Sequence, residues 1–393
     1  MKNRSLSSLP TLALAGVLIL AISAAPLLAG TKDTPILSNL TTITQVASTI
    51  PANGDVNPYG IVVVPRSVGS LQAGNILVSN FNDSTNLQGT GTTIVQITPG
   101  GTLSTFAQID ASTLPGSCPG GVGLTTALVV LRSGWVIVGS LPTNAGTLEP
   151  GASGCLLVLD SNGNVAETIT GAAINGPWDM TSFEVGNYVV LFVTNVLNGT
   201  LAANGNVVNE GTVVRVNLLL PLNGSAPHVE GMTVIASGFA EETNSSALVI
   251  GPTGLGLSAP CNPFDVKACS PGAQFPFSVA LYVADTVNNR VAVIPDPFVR
   301  TTSAGTGITL SSGGTLNGPL GLAVAPNGHI ITVNGGDGNA TEITATGTQV
   351  ASELLDDTGG PPPGNGALFG VVFDGIGNIY FVDDNSNTLN LLN

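Results

Sequence analysis

The sequence predicts an all-β fold built from repeated short strands, and three observations support this prediction. First, the 393 residues include 51 Gly and 26 Pro, whereas only 8% of the residues are charged. This composition is typical of many strands joined by tight turns, and it differs from that of helical bundles, which need Ala, Glu, Lys and Leu in periodic register. The second observation is an internal repeat. The third is a spare strand at one end of the chain that matches a missing strand at the other.

The repeat is a pair of apolar strands joined by a Gly-containing turn. It is clearest when residues 317–336, NGPLGLAVAPNGHIITVNGG, are aligned with residues 366–385, GALFGVVFDGIGNIYFVDDN. Four earlier segments share the pattern, and each of the six copies continues into a polar loop and a third strand. In five copies a fourth strand follows, and the period is about 50 residues, which is typical of a β-propeller. The predicted blades cover residues 57–110, 121–170, 175–240, 247–314, 317–357 and 366–393.

The two ends of the repeat region complement each other. The sixth copy stops at Asn393 after its third strand. Residues 40–49, LTTITQVAST, lie before the first copy and have the alternating pattern and the β-branched residues of a strand. A ring closed by strands from both ends would leave no exposed sheet edge. The sequence therefore predicts that residues 30–393 form one six-bladed propeller whose last blade is closed by the strand at 40–49. An open-ended solenoid of repeats is the alternative.

The first 29 residues have the three-part pattern of a secretory signal peptide. Lys2 and Arg4 precede an apolar run over residues 12–25, and the small residue Ala29 is the expected cleavage position. An uncleaved anchor is the alternative, although the apolar run is shorter than the ~20 residues that a membrane span needs. We therefore predict a secreted protein, extracellular or periplasmic, that is a monomer and does not enter the membrane after its signal is removed.

The four cysteines are compatible with disulfide bonds in an exported protein. Cys261 and Cys269 bound a short Pro-containing segment, which favours their pairing and leaves Cys118 to pair with Cys155. Free thiols are the alternative. A metal site is a poor explanation, because the chain has only two histidines and no CxxC motif.

The charge of the chain argues against one class of partner. Lys and Arg total 9 against 24 Asp and Glu, for a formal net charge of -15. Such a surface repels phosphate backbones, so nucleic acid is not an expected partner. There is also no G-x-S-x-G elbow near a histidine, and the sequence shows no assembled acid, base and nucleophile.

One segment carries a family likeness. Residues 281–294, LYVADTVNNRVAVI, resemble the core of an NHL repeat, in which Asp285, Asn289 and Arg290 match the family pattern. This resemblance implies a propeller of the NHL type. NHL propellers are similar in shape to gluconolactonase and senescence-marker lactonases, which hold a divalent cation in the central channel with one Glu, one Asn and one Asp.

The cation-binding pattern of those lactonases is only partly present. Asp179 stands where a ligand would be expected, at the start of an inner strand, and no inner strand opens with a Glu. The resemblance therefore implies at most a divalent cation such as Ca²⁺ in the channel, with Asp179 as a ligand. The other copies have glycine at the same position, namely Gly60, Gly254, Gly321 and Gly370.

Polar residues also follow the second strand of most copies. In a propeller these positions lie on one face around the channel mouth, so their oxygens can bind Ca²⁺ or the hydroxyl groups of a sugar. Asn and Asp are equally what tight turns require. Trp178, beside Asp179, can contact a ligand or fill the neck of the ring. The candidate ligand-binding residues are Trp178, Asp179, Asn80, Asn195, Asp285, Asn334 and Asp383.

Three functions are compatible with these features. The first is a binding or protein-interaction module without catalysis, whose ligand is a protein or a carbohydrate. The second is a metal-dependent lactonase or ester hydrolase, in which a cation near Asp179 polarises the carbonyl and activates water. The third is an extracellular structural or adhesive protein.

Overall fold

The computed structural model describes residues 34–119, 121–258, 279–374 and 377–393. These ranges contain 27 β-strands. They also contain two three-residue 3₁₀ helices, Leu37–Asn39 and Ala111–Thr113. The predicted signal peptide and the predicted Cys261–Cys269 pair lie outside the described residues.

The strands form six antiparallel sheets, one for each blade. Blade 1 contains β2 (Val56–Val63), β3 (Ile76–Asn82), β4 (Thr93–Ile97) and β5 (Leu103–Gln108). Blade 2 contains β6 (Leu124–Val130), β7 (Val136–Ser140), β10 (Cys155–Leu159) and β11 (Val165–Ile169), with a small hairpin of β8 (Thr143–Asn144) and β9 (Thr147–Leu148). Blade 3 contains β12 (Pro177–Val185), β13 (Tyr188–Asn195), β14 (Val208–Leu219), β15 (His228–Asn244) and β16 (Leu248–Ile250).

The remaining three blades follow the same order along the chain. Blade 4 contains β17 (Pro252–Leu257), β18 (Ala280–Asp285), β19 (Arg290–Pro295) and β20 (Ile308–Ser312). Blade 5 contains β21 (Pro319–Val324), β22 (Ile330–Asn334), β23 (Asn339–Ile343) and β24 (Gln349–Leu354). Blade 6 contains β25 (Leu368–Phe373), β26 (Ile379–Asp383), β27 (Thr388–Leu392) and β1 (Ile43–Ser48).

The ring is closed by strands from both ends of the chain. β1 pairs antiparallel with β27, in a register that runs from Ile43 opposite Leu392 to Ser48 opposite Thr388. Blade 6 therefore takes its outer strand from the amino-terminal part of the propeller, and the two strands protect each other's edges. The predicted six-bladed fold with this closure is confirmed.

The first strand of each blade is the inner strand, and it begins at one face of the ring and ends at the other. We call the face where inner strands begin the upper face; it also carries the loops between second and third strands. The face where they end is the lower face. Each inner strand contains a register shift near its start, as between Pro58 and Gly60 in β2 and between Pro252 and Leu255 in β17. Such bulges re-aim side chains, and here they occur at the same level in all six blades.

Glycine after the bulge lets neighbouring inner strands pack closely. A Cβ added at Gly254 would lie 2.2 Å from the carbonyl oxygen of Leu320, and one at Gly321 would lie 2.0 Å from that of Phe369. Both distances are far below van der Waals contact, so any side chain there would force the blades apart. Asp179 is therefore an exception that needs its own explanation.

Hydroxyl groups of the second strands join neighbouring blades at this level. The Ser79 hydroxyl accepts a hydrogen bond from the Gly60 N–H at 3.0 Å and donates one to the Thr125 carbonyl at 2.8 Å. The Thr194 hydroxyl likewise accepts from the Asp179 N–H at 3.0 Å and donates to the Thr253 carbonyl at 3.0 Å. Each hydroxyl thus satisfies bulge groups of two blades at once.

Cys118 and Cys155 form a disulfide, as the sequence predicts, with their Cα atoms 5.4 Å apart. It ties the connection between blades 1 and 2 to the start of β10 in blade 2. Among the described residues, no helix is long and apolar enough to span a membrane.

Candidate functional site

Stacked aromatic rings close the upper end of the central channel. Tyr59 of blade 1 stacks on Phe369 of blade 6 with ring centroids 3.9 Å apart. Trp178 of blade 3 lies 6.5 Å from the Tyr59 ring and 6.4 Å from the Phe369 ring. Blades 1 and 6 are neighbours and blade 3 lies across the ring from blade 6, so the three side chains meet near the ring axis. The contacts leave the upper end of the channel filled by packed aromatic carbon.

A hairpin covers this aromatic stack from above. It is formed by the end of β15 and by β16, with Glu242 paired to Ile250 and a turn at residues 245–247. Inside, Ala247 and Val249 are buried in the same apolar cluster as the stacked rings. The Gln88 side chain of blade 1 donates to the Ser245 carbonyl at 2.9 Å. The hairpin therefore reaches from blade 3 to blade 1 over the channel.

Below the stack lies a cavity of about 320 Å³ that is lined by the inner strands of all six blades. Its residues become more exposed along the inner strands of blades 5 and 6: Gly321 and Gly370 are buried, whereas Val324 and Phe373 are half-buried. Because exposure rises toward the ends of these strands, the described residues leave the cavity open on the lower face. Its volume lies within the range of small-molecule sites.

Among the described residues that line this cavity, Asp179 is the one with a carboxylate. Its Oδ2 accepts a hydrogen bond from the Leu255 N–H of blade 4 at 2.8 Å, and its Oδ1 accepts one from the Met180 N–H at 2.8 Å. The side chain thus bridges two inner strands where other blades have glycine. A carboxylate offers about four acceptor positions, so two stay available to a ligand in the cavity.

The surroundings of Asp179 change its protonation. Burial raises the pKa of Asp179 to about 7, although the hydrogen bonds from Leu255 and Met180 act in the opposite direction. The carboxyl group therefore exchanges its proton near neutral pH. Perturbed groups of this kind inside a cavity are common at functional sites.

The rest of the cavity wall is mostly apolar. Ile61, Leu128 and Leu322 contribute aliphatic surface, and Thr126 contributes a buried hydroxyl that has no hydrogen-bond partner among the described residues. Asp179 and Thr126 are therefore the polar groups that can orient a ligand at the closed end. Thr181 and Ser182 continue the polar side of β12 toward the lower face.

This wall does not fit the cation site implied by the lactonase likeness. Ca²⁺ takes six to eight oxygen ligands, usually several of them carboxylates. The positions equivalent to Asp179 in blades 4 and 5 are Gly254 and Gly321, where a neighbouring carbonyl leaves no room for a side chain. In the part of the chain that the structure describes, no three His, Cys, Asp or Glu side chains are grouped to hold a metal. We therefore assign no metal to the channel.

Trp178 packs in the core rather than in the cavity. Only 2% of its surface is exposed, and its indole N–H donates to the Val249 carbonyl of the covering hairpin at 3.0 Å. Of the two roles that the sequence predicts for Trp178, ligand contact or filling of the ring's neck, it therefore has the second. Asp179, the next residue, points into the cavity below.

The five other candidates occupy equivalent positions at the upper ends of the second strands, and each is bonded to its own surroundings. Asp285 forms an ion pair with Arg290 at 2.7 Å, and the Asn288 amide donates to the same carboxylate. Asn195 accepts from the N–H groups of residues 175 and 176. These contacts are those of turn braces. Asn80, Asn334 and Asp383 likewise bond to Thr49, Thr315 and Ser386, respectively.

Two further acids lie on the upper side: Glu241 is buried, and Asp384, next to the candidate Asp383, is half-buried. Burial raises the pKa of Glu241, at the end of β15, to about 8, and the nearby Glu210 acts in the same direction. Burial also raises the pKa of Asp384 to about 8, with a further contribution from Asp383. Glu241 lies in the segment GFAEETN, and its burial follows only from the tertiary structure.

No protein-family model and no curated protein matches the sequence. Solved structures do match the fold. A calcium-binding protein, regucalcin, from Agrobacterium tumefaciens is 13% identical with a TM-score of 0.52, over 88% of this chain and 93% of that one. A luciferin-regenerating enzyme is 12% identical with a TM-score of 0.52, over 89% and 94%. A gluconolactonase from Xanthomonas campestris is 12% identical with a TM-score of 0.48, over 88% of each chain. The similarity to the first two of these structures shows a shared fold.

Proposed function

We propose that this chain is an exported ligand-binding propeller whose channel takes a small organic molecule from the lower face. The observation that carries the proposal is the cavity itself: closed above by aromatic rings, open below, apolar on its walls and supplied with one carboxyl group at Asp179. Small-molecule sites have this combination of apolar lining and few polar groups. A carbohydrate, with many hydroxyl groups, fits this wall less well.

The carboxyl group indicates the chemistry of the ligand. Its remaining acceptor positions suit an N–H or O–H donor, and when ionised it attracts a cation. We therefore infer a ligand with one amine or hydroxyl group on an apolar body. Export is supported by the Cys118–Cys155 disulfide, which is typical of oxidising compartments, and by the amino-terminal pattern of the sequence.

Calorimetry with benzylamine tests this function. Wild-type protein should bind the amine, whereas the uncharged analogue toluene should bind more weakly and the anion benzoate should not bind. Asp179→Asn should weaken benzylamine binding by roughly tenfold, as for a lost charged hydrogen bond. Asp357→Asn, an exposed control, should bind like wild type. Equal binding by wild type and Asp179→Asn would contradict the proposal.

A second candidate function is hydrolysis of a small ester or lactone. It is favoured by the pKa of Asp179, about 7, because a general base works best when its pKa is near the working pH. In this version Asp179 would accept a proton from the attacking water, without a metal ion. Lactone turnover by wild type that is lost in Asp179→Asn would favour catalysis over binding alone.

A further inference from the structure

Thr126 is the residue of blade 2 that stands where blade 3 has Asp179. The Thr125 carbonyl accepts a hydroxyl hydrogen bond from blade 1 at 2.8 Å. The carbonyl of Thr253, the residue before Gly254, accepts the corresponding bond from blade 3 at 3.0 Å. Thr126, which follows Thr125, therefore lies at the level of the ring that Asp179 shares with the glycines of the other blades. At this level blades 2 and 3 carry polar side chains, and the other four blades carry none.

The Thr126 side chain is directed toward the channel. Thr126 is among the described residues that line the cavity, whereas Thr125 and Ala127, on either side of it, are not. Those two side chains face β7 instead, since a Cβ added at Gly139 would lie 2.6 Å from Thr125 Oγ1 and 2.8 Å from Ala127 Cβ. β6 is in contact with β12, the neighbouring inner strand, which carries Asp179. Thr126 and Asp179 therefore lie next to each other on one side of the cavity.

The Thr126 hydroxyl has no partner in the described part of the chain. Thr126 is 5% exposed, and its Oγ1 is buried without a hydrogen bond. The Ser79 and Thr194 hydroxyls, by contrast, each join two blades at this level. The Asp179 carboxylate accepts hydrogen bonds from two backbone N–H groups and does not engage Thr126. A buried hydroxyl without a partner is unfavourable, and a ligand that supplies the partner removes this cost.

We propose that the ligand of the channel is an amine with a hydroxyl group on the neighbouring carbon, that is, a β-amino alcohol on an apolar body. This inference rests on the proposed function, which assigns the amine to Asp179, and it adds Thr126 as the residue that selects the second polar group. A ligand hydroxyl suits an unpartnered threonine hydroxyl, because each can donate to the other or accept from it. The two groups stand on neighbouring carbons because Thr126 and Asp179 lie side by side.

Two amines that differ by one hydroxyl group test this selection. They are phenylethanolamine and phenethylamine, and their binding is measured by calorimetry at about pH 8, where most of Asp179 is ionised because burial raises its pKa only to about 7. Wild-type protein should bind phenylethanolamine roughly fivefold more tightly, as for one additional neutral hydrogen bond. Equal affinities, or tighter binding of phenethylamine, would overturn the proposal.

Two variants assign this preference to Thr126. Thr126→Val keeps the shape of the side chain without its hydroxyl, so it should bind the two amines with equal affinity. It also leaves no buried polar group unsatisfied, so we expect it to fold. Thr126→Ser keeps a hydroxyl and should retain the preference. A preference for phenylethanolamine that survives in Thr126→Val would overturn the role of Thr126.

Asp179→Asn separates the failure of this inference from the failure of the proposed function. This variant should bind both amines more weakly than wild type, by a similar factor, because both place their amine at Asp179. Two amines that depend on Asp179 but bind wild type equally well would overturn the inference and leave the proposed function intact. Absence of binding of either amine to wild type would overturn both.

Discussion

The Asp179 carboxylate of blade 3 accepts a hydrogen bond from the Leu255 N–H of blade 4 at 2.8 Å. Through this contact an acidic side chain occupies a level of the ring at which four of the other blades have glycine, namely Gly60, Gly254, Gly321 and Gly370. The same residue therefore joins two blades and gives the channel its one carboxyl group. Substitutions of Asp179 can test its structural role and its binding role separately.

Removal of the Asp179 side chain should destabilise the propeller. Asp179→Ala leaves the N–H groups of Leu255 and Met180 without their acceptor, and an unsatisfied buried donor costs about 1–3 kcal/mol. Urea denaturation measures the change. Asp357→Ala removes an exposed carboxylate and should change the free energy of unfolding by less than about 0.5 kcal/mol. Equal stability of the two variants would contradict the role of Asp179 as a bridge.

Stability should fall as the pH rises from about 5 to about 8. In the folded protein the pKa of Asp179 is raised to about 7, and those of Glu241 and Asp384 are raised to about 8. Between the ordinary pKa of a carboxyl group and these values, the folded state holds protons that the unfolded state has lost. The free energy of unfolding then decreases with pH across that window.

Two other carboxylates, those of Asp83 and Asp160, have lowered pKa values, and their effect on stability changes only at lower pH. The side-chain and backbone hydrogen bonds of Asp83 and Asp160 lower their pKa values despite partial burial, so their contribution is complete above about pH 4. Urea denaturation at several pH values should therefore give a lower midpoint at pH 8 than at pH 5. Asp179→Asn should make the slope between pH 5 and 7 shallower. A midpoint that rises over this range would contradict the assignment.

The Tyr59 hydroxyl should be dispensable, whereas its ring should not. The ring stacks on Phe369, but the hydroxyl is buried and has no partner in the described part of the chain. Burial, followed by the charge of Asp384, raises the pKa of Tyr59 and keeps the hydroxyl neutral. Tyr59→Phe should therefore unfold at the same or a higher urea concentration. Tyr59→Ala should lose about 3–5 kcal/mol by opening a hole in the stack.

The Cys118–Cys155 disulfide should contribute to stability. It closes a loop with a sequence separation of 37 residues that contains β6 and β7 of blade 2. Replacement of both residues by serine should lower the free energy of unfolding by about 2–4 kcal/mol, as in other proteins with loops of this kind. Denaturation curves of oxidised wild type and the Cys118→Ser, Cys155→Ser variant make the comparison. Coincident curves would show that the bond does not constrain the unfolded chain.

The sequence predicts the ring because each blade repeats one local pattern. Alternation, Gly-containing turns and the unmatched strand at 40–49 are all visible along the chain, and β1 pairs with β27 as they indicate. The position of Asp179 on an inner strand also follows from that alignment. These features depend on residues that are close together in the sequence, so the sequence pattern is enough to predict them.

The closure of the channel could not be predicted in the same way. The bond between Trp178 and the Val249 carbonyl joins residues that are 71 positions apart, and nothing local to either marks the hairpin as a cover. The polar residues at the ends of the second strands predict a binding surface on the upper face, where the structure instead has packed aromatic rings. Glu241 is buried by a loop of its own blade, so its burial also depends on contacts that the repeat does not encode.

The most direct test of the channel site is the crystal structure of the protein soaked with benzylamine, together with the same soak of Asp179→Asn. We predict the amine in the cavity below Tyr59 and Trp178, with its nitrogen within hydrogen-bond distance of Asp179 in wild type and with lower occupancy in the variant at the same soaking concentration. Benzylamine on the upper face, or in the cavity of both proteins with the same occupancy, would contradict it.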